Sequence, residues 1–325
     1  MSEHEHRVLI TGAGGFIGGK LVELLATERP DIKVIATARR ALNLPQTDNL
    51  VFEELDVRDA EAARLMQKHQ INCVIHLASV VTPGPGMDRE TMRQIDVDGT
   101  QNMLDAALEA GVKKFIVTTS AASYGYHADN PVPLDENDAV RGNIEFAYSH
   151  HKRLIENLLA EYREKHPELA QLVFRPGFVL GYECENQITN LFTKPAIFGV
   201  RGSDSPFVII WDEDVCRCII EGITSDKTGI YNLAGDGTLS LREIAGLIGK
   251  PYVALPAGAI KTALFVAKHL RLSQYGPEQV NFLRYRPVLS NQRLKEEFGY
   301  SPKMNSRECF MAYAKHKGLL KPEQS

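Results

Sequence analysis

The stretch Thr11-Gly12-Ala13-Gly14-Gly15-Phe16-Ile17-Gly18 decides the fold of this 325-residue chain. It follows a β-branched and apolar run, Arg7–Thr11, and it opens an apolar pattern with helical spacing over Phe16–Ala26. A glycine turn between a buried strand and a helix leaves helix N–H groups free for phosphate oxygens. In this context a dinucleotide-binding loop is favoured over a plain glycine-rich turn. The glycines Gly12, Gly15 and Gly18 would permit a tight turn, a close approach of the backbone to a pyrophosphate and close packing of the helix.

Strand-like runs alternate with helical patterns downstream of this loop, which predicts parallel βαβ units. The fold class expected is therefore α/β: a Rossmann-type, doubly wound parallel sheet with a small, mainly helical C-terminal lobe. We expect a dinucleotide-binding domain over 1–176 and a substrate-binding lobe over 177–325, with the segment 205–234 returning to the first domain. The predicted strands are 33–38, 50–53, 72–76, 114–118 and 172–174, and the longest predicted helices are 91–110 and 146–165.

Composition narrows the classes of function. The chain is 44% hydrophobic and 24% charged with a net charge of −4, so we expect no nucleic-acid partner. Five cysteines without a CxxC pair indicate a reducing cytoplasm, and we expect no metal site. The apolar stretch 257–267 contains Lys261 and is too short to span a bilayer, so no integral membrane segment is predicted. A core-facing helix is expected there, with a monotopic membrane contact as the alternative.

The glycine spacing is GxxGxxG, and together with Phe16 and Ile17 it forms the pattern TGxxGFIG. This pattern resembles the extended branch of the short-chain dehydrogenase/reductase superfamily, which includes NAD-dependent epimerases and dehydratases. The resemblance runs from Arg7 to about Phe310 and is most specific before Gly181. It implies an enzyme that binds a nicotinamide cofactor, with Phe16 and Ile17 among the binding residues.

The residues at the end of the second predicted strand indicate whether NAD or NADP is bound. An acid there accepts hydrogen bonds from the ribose of NAD, whereas an arginine pairs with the 2′-phosphate of NADP. This chain has Arg39-Arg40 and no acid, so NADP is favoured, although NAD stays possible. Two solvated arginines are the alternative interpretation. This strand end is similar to that of NADP-dependent members related to dihydroflavonol reductases and 3-beta-hydroxysteroid dehydrogenases.

The resemblance also implies cofactor contacts at three later strand ends. Asp56-Val57 resembles the pair that contacts the adenine. His76-Leu77-Ala78-Ser79 is similar to the loop that borders the nicotinamide ribose, so Leu77, Ala78 and Ser79 are expected to bind cofactor. Pro176, after the sixth strand, is expected to contribute as well.

Tyr148 and Lys152 lie four residues apart on a predicted helix, so both side chains can project into the same space. Reversible reduction of a carbonyl needs a group that donates a proton and takes it back. A free tyrosine has a pKa of about 10, and a neighbouring ammonium favours its phenolate. Lys152 could also hold the nicotinamide ribose. Ser120, at the end of the fifth strand, would hydrogen-bond the substrate oxygen.

The segment 119–125, Thr-Ser-Ala-Ala-Ser-Tyr-Gly, resembles the strand end that carries the catalytic Ser or Thr of the extended family. The resemblance assigns catalysis to Ser120, Tyr148 and Lys152, with Ser123 as the rival to Ser120. Tyr148 and Lys152 are expected to bind cofactor too. A second Tyr-xxx-Lys pair, Tyr313 and Lys317, is interpreted as chance on a surface helix. The neighbours His150 and His151 are expected to be exposed.

The chain departs from the family pattern at several positions. Asp96 stands where the family's N-V-x-G-T motif has asparagine, and an ionised aspartate only accepts hydrogen bonds. Gly177-Phe178 stands where many sugar-nucleotide enzymes have an asparagine that holds the sugar diphosphate. Trp211 is the sole tryptophan and could line the pocket or pack the lobes.

Three functions follow as hypotheses. The leading one is hydride transfer between NADP and a carbonyl or secondary alcohol of a small, apolar substrate. The first alternative is a nucleotide-sugar epimerase or dehydratase with tightly bound NAD, and the second is a non-catalytic NADP-sensing regulator. A hydrophobic pocket and core packing are equally good interpretations of Phe178, Phe192, Ile197, Phe198 and Leu264. The helices 91–110 and 146–165 resemble those that pair in family homodimers, so a homodimer is predicted.

Overall fold

The computed structural model describes residues 5–84, 86–270 and 276–320. The described strands are β1 (His6–Thr11), β2 (Ile32–Ala38), β3 (Leu50–Glu54), β4 (Cys73–His76), β5 (Lys114–Thr118), β6 (Ala170–Pro176), β7 (Phe178–Leu180), β8 (Ile197–Val200), β9 (Ile209–Trp211), β10 (Gly229–Leu233) and β11 (Tyr252–Leu255).

The α-helices in the same part of the chain are α1 (Phe16–Glu28), α2 (Ala62–Lys68), α3 (Arg89–Arg93), α4 (Gly99–Glu109), α5 (Ala147–Lys165), α6 (Thr189–Thr193), α7 (Asp212–Thr224), α8 (Leu241–Leu247), α9 (Ala257–His269), α10 (Gln279–Arg284), α11 (Gln292–Glu296) and α12 (Ser306–His316).

A seven-stranded parallel sheet forms the centre of the molecule, in the order β3-β2-β1-β4-β5-β6-β10. The chain first builds outward from β1 to β3 and then resumes on the other side of β1 with β4. The switch lies between β1 and β4, where Thr11 pairs with His76. Open α/β sheets bind their ligands at the carboxyl ends of strands at such a switch. The Rossmann-type fold predicted from the sequence is confirmed.

Both faces of the sheet are buried, as all-parallel sheets require. On one face Val8, Ile10 and Ile116 pack in a cluster that includes residues of α1 and α7. On the other face Leu9 and Phe115 pack in a cluster that includes residues of α2, α4 and α5. Because the strands are apolar on both sides, their ends are held rigidly, and the loops at those ends can carry functional groups.

The C-terminal lobe has its own core, to which β7, β9, α8 and α12 contribute. Tyr313 is only 2% exposed in this core, so the prediction of a surface helix there is wrong: α12 packs on β9, and one face of it is buried. Phe192 and Ile197 are also core residues, so core packing explains these two, whereas Phe198 is exposed. Trp211 packs in the same core.

Two helical predictions need correction. The helix expected over 91–110 is interrupted, because Gln94–Asp98 forms a π-helical turn between α3 and α4. The stretch 257–267 does form a helix, α9, but none of its side chains is fully buried, so the expectation of a core-facing helix is wrong. Among the described residues, no helix is both long and apolar enough to cross a bilayer.

A buried ion pair joins α5 to β6. The Arg175 guanidinium donates through Nε and Nη2 to the two carboxylate oxygens of Glu156, at 2.9 and 2.8 Å, and both side chains are nearly inaccessible. Its third nitrogen, Nη1, donates to the Tyr124 hydroxyl at 2.8 Å. Removal of one partner would leave a buried charge without its counter-charge.

We therefore expect Glu156→Ala to reduce the free energy of unfolding by about 3–5 kcal/mol, because Arg175 would stay buried without a carboxylate. Urea denaturation followed by circular dichroism measures this loss. Glu161→Ala is the matched control, since Glu161 forms an exposed pair with Lys165 on the same helix and should cost under about 1 kcal/mol. Equal losses in the two variants would contradict the assignment.

Candidate active site

The glycine loop is built so tightly that side chains are excluded. Gly12 has a φ of +71°, and a Cβ atom there would lie 2.7 Å from the backbone nitrogen of Ala78. A Cβ on Gly18 would overlap the carbonyl oxygen of Gly12, and one on Gly15 would lie 3.1 Å from that oxygen. Gly15 caps α1 without a side-chain hydrogen bond, which leaves N–H groups at the helix start, beside Phe16 and Ile17, for an anion. The loop fits a bound pyrophosphate.

Arg39 and Asp56 lie near one another beyond the ends of β2 and β3. Two hydrogen bonds from Arg58, at 2.9 and 2.7 Å, hold the pKa of Asp56 below its usual range, and the charge of Arg39 adds to this effect. Arg39 is exposed, and its guanidinium forms no hydrogen bond or ion pair with another described residue. Val57 is buried beneath Gly99. This region therefore offers an exposed guanidinium, without a partner among the described residues, near the Asp56 carboxylate.

The loop after β4 is tied to the glycine loop by hydrogen bonds. The hydroxyl of Thr11 accepts from the backbone N–H groups of Leu77 and Ala78, at 3.2 and 3.3 Å. The ring of His76 contacts the hydroxyls of Thr11 and Thr100 at 2.9 and 3.0 Å. Burial lowers the pKa of His76 to about 3, so this ring stays neutral and serves as a structural link.

Asp96, the departure from the family motif, lies fully buried in the π-helical turn and joins three elements. One carboxylate oxygen accepts from the Ser79 hydroxyl at 3.0 Å and from the Val80 N–H at 2.8 Å. The other lies 3.2 Å from Nδ1 of His151. His151 is 1% exposed, so the expectation that it is exposed is wrong. A buried stripe on α5 includes it, and Nε2 of its ring has no partner among the described residues.

The three predicted catalytic residues converge at the carboxyl end of β5. The Lys152 ammonium lies 5.6 Å from the ring centroid of Tyr148 and donates to the Thr118 carbonyl at 3.4 Å. The Ser120 hydroxyl accepts from the Ala122 N–H at 3.1 Å, and its proximity to Tyr148 counters the burial that raises the pKa of that phenol. The rival, Ser123, is fully buried and donates its hydroxyl to the Ser120 carbonyl at 2.8 Å. The geometry favours Ser120 over Ser123.

Burial shapes the protonation of this group. It raises the pKa of Tyr148 well above its usual range, and hydrogen bonding from Ser120 offsets only part of that rise. Burial also lowers the pKa of Lys152, while the carboxylates of Asp96 and Glu156 raise it again. Tyr148 is therefore a neutral phenol at neutral pH, ready to donate a proton.

An aromatic wall, which sequence reasoning missed, stands beside Tyr148. It consists of Tyr126, Phe146 and Phe282, with Phe282 ring centroids 4.2 Å from Phe146 and 4.8 Å from Tyr126. Phe146 in turn lies 6.2 Å from the ring of Tyr148. The three residues come from distant parts of the chain, and no spacing pattern connects them.

Arg286 is a second residue that the sequence did not single out. Its guanidinium stacks 4.1 Å from the Phe207 ring and donates to the Ser205 carbonyl at 2.6 Å. Burial lowers its pKa to about 10, and no carboxylate within the described ranges pairs with it.

Pro176, the last residue predicted to bind the cofactor, is buried at the end of β6, opposite Leu233. Among the described residues, no cluster of metal-ligating side chains is present.

Comparison with known proteins identifies the family. The chain matches the NAD dependent epimerase/dehydratase family over residues 8–197 and belongs to that family. An uncharacterized protein of Mycobacterium tuberculosis strain H37Rv is 22% identical over 96% of this chain and 84% of its own length. The UDP-glucose 4-epimerase of Erwinia amylovora is 29% identical over 52% of each chain.

Solved structures share the fold at low sequence identity. The UDP-glucose 4-epimerase of Thermotoga maritima, solved with UDP-glucose, has a TM-score of 0.74 at 18% identity, covering 96% of this chain and 98% of its own. The dTDP-glucose 4,6-dehydratase of Bacillus anthracis, solved with NAD, has a TM-score of 0.73 at 16% identity, covering 96% of each chain. These likenesses, together with the family, support an NAD-dependent, oxidoreductase-like enzyme.

The Asp96 carboxylate predicts a pH effect on Lys152. Removal of its negative charge by Asp96→Asn should lower the pKa of Lys152 further, so Lys152 should lose its proton at lower pH. We expect the alkaline limit of nicotinamide cofactor binding, followed by fluorescence titration, to shift to lower pH.

Asp98→Asn is the matched control, since Asp98 lies in the same π-helical turn but pairs with Arg93. It should leave the alkaline limit unchanged. An unshifted limit in Asp96→Asn, in a protein with normal circular dichroism, would show that Asp96 does not act on Lys152.

Proposed function

We propose that this protein is an NADP-dependent oxidoreductase that transfers a hydride between the cofactor and a carbonyl or secondary alcohol of a small, apolar substrate. The observation that carries the proposal is the convergence of Ser120, Tyr148 and Lys152 at the carboxyl end of β5. The Rossmann domain over 1–176 would bind the cofactor, and the lobe over 177–325 would cover the substrate.

The phenol of Tyr148 is the proposed proton donor of the reaction. A half-buried, neutral tyrosine donates its proton to the carbonyl oxygen as that oxygen gains charge, and it takes a proton back in the reverse direction. Ser120 stabilises the developing charge through a hydrogen bond. Lys152 orients the nicotinamide ribose, and its positive charge stabilises the phenolate that Tyr148 becomes. The bound nicotinamide would supply or accept the hydride.

Cofactor selection is proposed to rest on Arg39. Its exposed guanidinium has no partner among the described residues and would pair with an adenosine 2′-phosphate, since the nearby Asp56 carboxylate is already held by Arg58. An acid at this strand end would repel that phosphate. Leu77, Ala78 and Ser79 would line the nicotinamide side, because hydrogen bonds fix this loop against Thr11 and Asp96. The aromatic wall favours an apolar substrate group beside Tyr148.

A second candidate is a nucleotide-sugar epimerase or dehydratase with NAD held through the cycle. Arg286 favours it, because a half-buried guanidinium without a carboxylate among the described residues is suited to a diphosphate. The related solved structures also contain nucleotide sugars or NAD. Two features weigh against this candidate: Gly177-Phe178 stands in place of an asparagine, and Arg39 stands at the end of β2.

A non-catalytic regulator is disfavoured by the complete Ser120/Tyr148/Lys152 set. The homodimer and the cytoplasmic location stay predictions of the sequence.

Arg39→Asp tests the choice of cofactor. Wild-type protein should bind NADPH at least several-fold more tightly than NADH, because the guanidinium pairs with the 2′-phosphate. The variant should narrow or reverse that difference in fluorescence titrations. Arg64→Gln is a control, since Arg64 is an exposed residue of α2 that pairs with Glu61, and it should keep the preference for NADPH. Equal wild-type affinities would refute the NADP assignment.

Tyr148→Phe tests the proton donor in a substrate screen that follows NADPH absorbance. The substitution keeps the ring, so folding and cofactor binding should persist, while turnover should fall by about 100- to 10,000-fold. Lys152→Met should lower both turnover and cofactor affinity. Tyr313→Phe is the matched control in the second Tyr-xxx-Lys pair and should retain turnover. Near-normal turnover in Tyr148→Phe would overturn the mechanism.

A further inference from the structure

Helix α9 presents apolar side chains to solvent. Its half-buried residues Ala257, Ile260, Leu264 and Ala267 recur at helical spacing and face the protein. On the remaining surface Phe265 and Val266 are 61% and 47% exposed, and Leu270, at the C-cap, is 59% exposed. Such a face marks an interaction site and not an ordinary solvated helix.

Two further exposed apolar side chains lie on the two-stranded sheet that precedes α9 in the chain. Phe198 of β8 is 55% exposed and pairs in register with Val253 of β11. Leu255, two residues further on the same strand face, is 37% exposed. Because α9 begins two residues after Leu255, we define the docking face as Phe198, Leu255, Phe265, Val266 and Leu270.

Charge indicates what covers this face. Lys261, Lys268 and His269 are the only ionisable residues of α9, in a chain whose net charge is −4. Lys268 pairs with Glu278, so Lys261 is the lysine of this helix without a partner among the described residues. A helix that combines apolar and basic residues in this way binds anionic lipid surfaces. A second copy is a poorer occupant, because a two-fold interface would bring the same basic residues together.

We propose that the docking face binds the protein reversibly to an anionic lipid surface. Phe265, Val266 and Leu270 would enter the boundary between headgroups and acyl chains, and Lys261 would lie against lipid phosphates. Lys268 bridges α9 to Glu278, directly before α10, at 3.3 Å. Helix α10 carries Phe282 of the aromatic wall, so the docked face adjoins the substrate side of the candidate site. The docking itself does not depend on the proposed reaction.

Sedimentation of the full-length protein with vesicles tests this proposal. We expect binding to vesicles of phosphatidylcholine with 30% phosphatidylglycerol, and weaker binding to phosphatidylcholine alone or at high salt. The double variant Phe265→Glu/Val266→Glu should reduce partitioning into anionic vesicles by about tenfold or more, because it removes both inserted side chains. Val132→Glu replaces a valine that is 75% exposed outside this face, and it should bind like wild type.

Each other outcome overturns the proposal. Wild-type protein that stays in the supernatant with anionic vesicles excludes lipid docking, and equal binding by the double variant excludes this face. Light scattering on the same proteins tests the second-copy alternative. A wild-type dimer that becomes a monomer in the double variant, without vesicle binding, would assign the face to self-association. Circular dichroism and NADPH titration of each variant show whether the fold and the cofactor site persist.

Discussion

The close approach of two backbone segments at the sheet's switch point constrains the rest of the structure. Gly12 packs so near Ala78 that any side chain would collide, and Gly18 packs equally closely on Gly12. The approach brings the start of α1 and the loop after β4 together, and the Thr11 hydroxyl fixes their separation. The proposed phosphate and nicotinamide sites then share one crevice, at the place where doubly wound sheets bind ligands.

A buried polar network extends this constraint to the reacting groups. It runs from Thr11 through His76 to Thr100, whose hydroxyl donates to the Asp96 carbonyl at 2.5 Å. Asp96 then holds the loop after β4 and pairs with His151, directly beside Lys152. An asparagine could link the same elements by hydrogen bonds, but it would carry no charge. The aspartate adds a counter-charge for a lysine whose ammonium is otherwise penalised by burial.

Local sequence patterns were sufficient for the fold and for the positions of the glycine loop, Tyr148 and Lys152. Strand composition, glycine spacing and the four-residue interval are all short-range signals. His151 was misjudged although its signal was present, since Tyr148, His151, Ile155 and Leu159 follow helical spacing. Phe282 and Arg286 could not be found in this way, because tertiary packing alone brings them near Tyr126. The π-helical turn at Asp96 also depends on tertiary contacts, and no local pattern indicates it.

Identification of the nucleotide that the purified protein retains most directly tests the claim that this is an NADP-dependent oxidoreductase with exchangeable cofactor. Native protein would be dialysed, then denatured, and the released nucleotide quantified by chromatography and mass spectrometry, with parallel equilibrium dialysis against NADP⁺ and NAD⁺. The account predicts little retained NAD and saturable, reversible binding that favours NADP⁺. One equivalent of NAD⁺ or NADH that survives dialysis and leaves only on denaturation would contradict it and indicate an enzyme that keeps its hydride carrier through the cycle.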